Sequence, residues 1–220
     1  MSKPCIAVVG IGRLGSIHTK LVLDGDLFDL VALVEPVEAT RHVATEEFSV
    51  RGAADISEIV DEIDCAIIAT PTRYHFEVAQ TLLNAGKHLL IEKPISFEIA
   101  QANKLIAIAE SKQLVLQVGH VERFNPAFSA VANHVSTPLF IDAVRTSNYS
   151  FRSTDIGVTL DLMIHDIDLV LSLVDSPIAA IDAVGSVVIG PHEDIANARL
   201  TFKNGTFANL TASRVSSEPQ

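Results

Sequence analysis

Short unbroken apolar runs punctuate the first half of the chain. They are CIAVVG (5–10), DLVALVE (29–35), DCAIIAT (64–70), KHLLIE (87–92) and LVLQVG (114–119). Runs that are continuous rather than alternating predict parallel strands covered on both faces. The stretches 73–85 and 97–111 between them have helical spacing. Gly86 is placed to end the first as a left-handed residue, and Ser96 to cap the start of the second. Repeated strand–helix alternation predicts a doubly wound, parallel α/β domain over residues 1–121.

From 122 to 220 the pattern changes. RFNPAFSAVANHV (123–135) reads as a helix, PLFIDAVRTSNY (138–149) as a strand, and VTLDLMIHDIDLVLSLV (158–174) as a helix. Three strand-like runs follow, 178–189, 195–202 and 206–214, with an Asn-Gly turn in FKNGTF (202–207). This predicts an α+β domain with a mostly antiparallel open sheet. The tail SSEPQ is polar and expected to fray.

Composition narrows the class. Of 220 residues, 48% are hydrophobic and 20% charged, an ordinary globular balance. The formal net charge of −11 argues against a nucleic-acid partner, which needs a basic surface. No run of about 18 apolar residues predicts a membrane span. The start MSKPCIAVVGIG lacks a signal-peptide pattern. Cys5 and Cys65, each in an apolar run, read as buried free thiols in a reducing cytoplasm.

VVGIGRLGSIH sets Gly10, Gly12 and Gly15 in the order G-x-G-x-x-G, after a strand and before a helix. In that setting the three glycines allow a tight turn, close approach of a pyrophosphate and close helix–strand packing. The turn spans Gly10, Ile11, Gly12, Arg13, Leu14 and Gly15. Glu35 ends the second strand, where a carboxylate accepts from an adenosine ribose diol and repels a 2′-phosphate. NAD is therefore favoured over NADP, with Arg41 the nearby cation that argues the other way. His18 reads as a helix-surface or packing residue.

LLIEKPIS puts Glu92, Lys93 and Pro94 at the carboxyl end of a strand, where open α/β sheets bind ligands. A lysine there donates to a substrate oxygen, or simply caps a loop. On a helical wheel of about 100° per residue, Asp161, His165, Asp168 and Ser172 share a stripe about 60° wide. Asp161 and His165 are i, i+4 neighbours, the spacing of a carboxylate–imidazole acid–base pair. A solvent-facing polar stripe fits the same spacing. A metal site fits poorly, because no second histidine or cysteine stands at ligand spacing. Asp166 falls off the stripe, as surface decoration.

Taken together, GIGRLG (10–15), ATPTRYH (69–75), EKP (92–94), LDLMIHDID (160–168) and NARLTFKNGTFANLTASR (197–214) resemble the Gfo/Idh/MocA oxidoreductases. The resemblance implies a Rossmann domain, then an α+β domain whose open sheet mediates homo-oligomerisation. It places Lys93, Asp161 and His165 on the family's catalytic positions: His165 as acid/base, Asp161 orienting it, Lys93 assisting at the substrate hydroxyl. Thr70, Pro71, His75 and Glu92 fall where the family meets the nicotinamide half of NAD, and the Lys93–Pro94 bond is often cis there. VGHVERFNPAF (118–128) and EDIANARLTF (193–202) are similar to the branch that oxidises the 3-hydroxyl of UDP-N-acetylglucosamine. In that likeness Arg123 and Asn125 are candidate substrate contacts; Arg123 equally suits an ion pair with Glu122 or Asp168. The family usually continues well beyond this length, so the second sheet is expected to be incomplete or completed by a partner subunit. A sugar or nucleotide-sugar dehydrogenase is the implied activity, and a non-catalytic NAD-binding sensor of the same fold is the alternative.

Overall fold

The structure is a computed structural model that describes residues 2–150 and 155–217. It divides into two compact units, the division falling between Gly119 and His120.

The first unit is a parallel sheet with helices on both faces. Its strands are β1 (Cys5–Val9), β2 (Asp29–Val34), β3 (Gly52–Ala53), β4 (Cys65–Ile68), β5 (His88–Ile91) and β6 (Leu116–Val118), in the order β3-β2-β1-β4-β5-β6. The helices are α1 (Arg13–Asp24), α2 (Glu38–Phe48), α3 (His75–Asn84) and α4 (Ile99–Lys112). The unbroken apolar runs arise because successive strand residues feed two different cores. Ala7, Val9, Ala66 and Ile68 pack into one, and Ile6, Val8 and Ile67 into the other. Each fully buried Ile or Val contributes on the order of 1.5–3 kcal/mol. Strand order reverses at β1, with β2 on one side and β4 on the other, which opens a crevice at their carboxyl ends.

Of the two helix-end signals read in the first unit, one acts as expected and one does not. Gly86, at φ +78°, closes α3: its N–H donates to the Leu83 carbonyl and that of Lys87 to the Leu82 carbonyl, both at 3.0 Å. Ser96 does not cap α4. Glu98 holds the cap position without a side-chain bond, and the Ser96 hydroxyl donates to the Glu98 carbonyl, tightening the approach instead. Cys5 and Cys65 are free thiols, half-buried rather than fully buried.

The second unit has a mixed sheet of β7 (Phe140–Thr146), β8 (Ile178–Ser186), β9 (Ile195–Phe202) and β10 (Phe207–Ser213), ordered β7-β10-β9-β8. β8–β9 and β9–β10 are antiparallel, while β7 runs parallel to β10. The Asn204-Gly205 turn joins β9 to β10, with Gly205 at φ +89°. The expected helix 123–135 is broken at Asn125. A 3₁₀ turn (Val121–Phe124) precedes it and α5 (Pro126–Ala132) follows. Pro126 holds the preceding residue extended, at φ −60° and ψ 124°, and then starts a helix well. The expected helix 158–174 is also two pieces, a π-turn (Thr159–Met163) running into α6 (Ile164–Leu173). Met163 and Val170 from these pieces pack on Ala198, Leu200 and Leu210 of the sheet. Of the tail expected to fray, residues 218–220 lie outside the described residues.

Candidate active site

The glycine turn is built as the sequence requires. Gly10 has φ +87°, and a Cβ there would stand 2.8 Å from the backbone of Thr70. A Cβ on Gly15 would run into the Gly10 carbonyl. Gly12 differs: its φ is −75°, and a Cβ would meet nothing within 4 Å. The chain itself leaves the space beside it open. Gly12 is the N-cap of α1, with no side-chain cap and no acid in the first turn. That leaves the positive end of a twelve-residue helix facing the turn, the setting for an anion. Arg13 and Leu14 begin the helix exposed, whereas Ile11 is buried.

Glu35 stands beside this turn. Its Oε2 accepts from the Ile11 N–H at 3.1 Å and its Oε1 from the Val37 N–H at 3.0 Å. A carboxylate accepts at about four positions, so acceptor capacity remains for a ribose diol. Arg41 is turned to the backbone, donating from Nη1 to the Glu35 carbonyl at 2.6 Å and the Pro36 carbonyl at 3.2 Å. The cation that argued for NADP is thus engaged in holding the strand end. Against the same turn, the Thr70 hydroxyl is buried with no hydrogen-bond partner among the described residues. An open glycine, an uncapped helix start, an acid at the strand end and an orphaned hydroxyl fit a dinucleotide.

The Lys93–Pro94 bond is cis, as the resemblance implied. Lys93 is half-buried. Glu92 is buried and already engaged: Oε1 lies 2.7 Å from His18 Nε2 on α1, and Oε2 accepts from the Lys93 N–H at 3.3 Å. Burial pushes the Glu92 carboxyl up, but the hydrogen bond and charge of His18, with the amide and charge of Lys93, outweigh it. The net effect lies below the usual glutamate value. A Cβ on Gly119 would stand 3.0 Å from this carboxylate, so glycine makes room for it. His18 is therefore a partner of the EKP segment. Sequence reasoning missed it because the two positions are far apart in the chain.

His75 departs from its expected place among the cofactor contacts. It is 1% exposed, with Nδ1 2.8 Å from the Pro94 carbonyl oxygen and Nε2 2.9 Å from that of Thr70. A sealed ring with both nitrogens against backbone has nothing left to offer a ligand. Pro71, by contrast, is exposed ahead of the 3₁₀ turn Thr72–Tyr74.

In the second unit the straight helix on which the stripe was drawn is interrupted by a π-turn. Asp161 lies in the π-turn and His165 at the start of α6, both half-buried. Turns of this kind are frequent at functional sites, and nothing in the apolar spacing announces one. Glu193 holds the entry, its Oε1 accepting from the Thr159 N–H at 3.2 Å. Asp166 is not decoration: it is buried and forked by Arg145, at 2.8 and 3.0 Å. Asp168 is buried and forked by Arg123, Nε to Oδ2 at 2.7 Å and Nη2 to Oδ1 at 2.6 Å. Of the two readings of Arg123, the ion pair with Asp168 is thus present. Asn125 caps α5, accepting from the Ala127 N–H at 3.0 Å while its amide donates to Glu122 at 3.2 Å. Among the described residues no group of three or more His, Cys, Asp or Glu is placed to hold a metal ion. No helix among them is long and apolar enough to cross a membrane.

Comparison with known proteins agrees with this geometry. The profile of the oxidoreductase family with NAD-binding Rossmann fold matches residues 5–120, and that of the GFO/IDH/MocA C-terminal domain matches residues 129–220. UDP-N-acetylglucosamine 3-dehydrogenase from Acidithiobacillus ferrooxidans is 37% identical over 217 residues, covering 96% of this chain and 67% of its own length. The solved structure of that enzyme superposes with a TM-score of 0.92 at 35% identity, covering 100% of this chain and 72% of the solved one. Myo-inositol 2-dehydrogenase from Thermotoga maritima is 28% identical, covering 95% of this chain and 68% of its own length. The chain thus spans about two thirds of the length of these curated relatives. The chain belongs to the Gfo/Idh/MocA oxidoreductase family, with an NAD-binding Rossmann domain followed by the family's C-terminal domain.

Proposed function

We propose that the protein is an NAD-dependent dehydrogenase that oxidises the C3 hydroxyl of UDP-N-acetylglucosamine. The observation that carries this reading is the cofactor turn, with Glu35 beside Ile11 and Gly12 open. It sits in a chain whose sequence follows a UDP-N-acetylglucosamine 3-dehydrogenase over most of its length. When bound, NAD supplies the hydride acceptor. Gly12 and the start of α1 receive the pyrophosphate, and Glu35 accepts from the ribose hydroxyls. Lys93 donates to the substrate oxygen, and His165 takes the hydroxyl proton as the carbon–oxygen bond becomes a carbonyl. Asp161 orients the imidazole. Such proton transfer contributes typically about 10²–10⁴-fold to rate.

The test follows NADH absorbance with UDP-N-acetylglucosamine, UDP-N-acetylgalactosamine and free inositols. Turnover of the first, lost about a hundred-fold or more in Lys93→Ala and His165→Ala, is expected. Tight NAD binding by calorimetry with no turnover of any of these compounds would favour the non-catalytic sensor instead.

A further inference from the structure

We propose that Glu193 is a positioning residue for Asp161 and His165, pinning the start of the π-turn that carries Asp161 and runs into the helix of His165. This deepens the proposed function, since it rests on the acid–base roles given to those two residues. Glu193 stands just before β9, 34 residues from the turn it reaches. Its backbone carbonyl accepts from the Val158 N–H at 2.8 Å, and its Oε1 accepts from the Thr159 N–H at 3.2 Å. N–H groups at a helix start have no partner within the helix, so Glu193 supplies one to each of these two. The Asp161 N–H in turn donates to the Gly157 carbonyl at 3.0 Å. The pin therefore lies within two residues of Asp161.

Two glycines make room for this side chain. A Cβ on Gly157 would run into the Glu193 carboxylate, and one on Gly185 of β8 would stand 3.3 Å from the Glu193 Cβ. Neither glycine has a positive φ, so both supply space rather than a backbone conformation. The next residue, Asp194, is fully buried. It accepts from the Val188, Ile189 and Gly190 N–H groups through Oδ2 and from Arg214 through Oδ1. Arg214 Nη1 donates to the Ile156 carbonyl at 2.8 Å. Truncating Glu193 leaves that second anchor in place, so the turn is loosened rather than lost. A shift of about 1 Å in a positioned group costs on the order of a hundred-fold in rate. Glu193 belongs to the second unit and the cofactor turn to the first, so its loss acts on turnover rather than on NAD affinity.

The test has two arms. In the first, amide hydrogen exchange is followed at Thr159 and Asp161. Exchange about tenfold or more faster in Glu193→Ala than in wild type is expected. Glu193→Gln should exchange like wild type, because the glutamine oxygen still accepts from the Thr159 N–H. Unchanged exchange in Glu193→Ala would overturn the pin, whatever the enzyme's activity. The second arm measures the NAD dissociation constant, KM and kcat. Glu193→Ala is expected to lower kcat about tenfold to a hundred-fold, with KM and the NAD dissociation constant within about threefold. Glu193→Gln should keep kcat within about threefold of wild type. Gly157→Ala should lower kcat as Glu193→Ala does, yet by less than about twofold when added to Glu193→Ala, where the space is vacant. Unchanged kcat in Glu193→Ala, equal losses in the alanine and glutamine variants, or additive losses at Gly157 and Glu193 would refute a positioning role. His165→Ala assayed alongside separates the two claims: if it keeps full activity, the function assigned to His165 fails, while the exchange rates still decide whether Glu193 holds the turn.

Discussion

Two glycines of one turn are predicted to behave in opposite ways. Gly12→Ala places a methyl where no atom lies within 4 Å, on a backbone at φ −75° that alanine adopts freely. Alanine is a poorer helix N-cap than glycine, by under about 1 kcal/mol. It also restricts the unfolded chain, which returns about 0.4–1 kcal/mol. The net change in stability is near zero. Gly15→Ala forces a methyl onto the Gly10 carbonyl, also beside Val8 at 3.7 Å. Overpacking of that kind costs roughly 1–3 kcal/mol. For a unit of this size that is a fall in Tm of about 4 °C per kcal/mol. NAD affinity should drop for both, but for different reasons. In Gly12→Ala the methyl occupies the place where the pyrophosphate approaches, and a loss of about 1.4 kcal/mol or more is a tenfold or greater rise in Kd. In Gly15→Ala the turn itself is displaced. Thermal unfolding without ligand and calorimetry with NAD measure the two effects separately. The reasoning is refuted if Gly12→Ala lowers Tm as much as Gly15→Ala, or if it binds NAD like wild type.

Two further predictions follow from the buried charges. Arg123 is half exposed and Asp168 buried, so their losses are unequal. Arg123→Ala strands a buried carboxylate and should cost roughly 1–2 kcal/mol, whereas Asp168→Asn releases a guanidinium to water and should cost less than about 1 kcal/mol. Urea unfolding of the two variants should rank them in that order. The Glu92 carboxyl is held below its usual value, so its contribution to stability is complete above about pH 4.5 and is lost as pH falls through the depressed value. His18→Ala removes the strongest lowering influence and leaves burial to push the carboxyl up. The acid limb of Tm against pH should move to higher pH, and an unmoved limb would discount the His18–Glu92 pair.

What the sequence disclosed was short-range. Gly86, Asn204-Gly205 and the glycine turn announce themselves because each needs a backbone conformation or a close approach within a few residues. The buried strands were legible because both faces are apolar. The site's charged partners were legible only in part. Arg123 with Asp168, 45 residues apart, was one of the pairings the sequence left open, whereas Asp166 finds Arg145 at a separation of 21 residues and periodicity carries no trace of that pair. Nor does apolar spacing disclose the π-turn over Thr159–Met163, which changes the rotation per residue just where Asp161 sits. His75 was placed at the right end of the sheet but given a contact that only an exposed ring can make.

The parallel pairing of β7 with β10 bears on the order in which the second sheet is made. β7 is an edge strand whose neighbour in the sheet is β10, so Phe140–Thr146 finds its ladder in Phe207–Ser213. At about 5–20 residues per second on the ribosome, β7 emerges roughly 3 to 12 seconds before its partner. The first unit's strands meet their neighbours as each crossover is completed, but β7 waits with its backbone donors and acceptors unmet. A nascent chain halted before Phe207 would expose a strand edge carrying Phe140 and Val144, the kind of edge that captures another chain. Strand order thus makes the interval between β7 and β10 the time at which this protein is most open to chaperones and to aggregation.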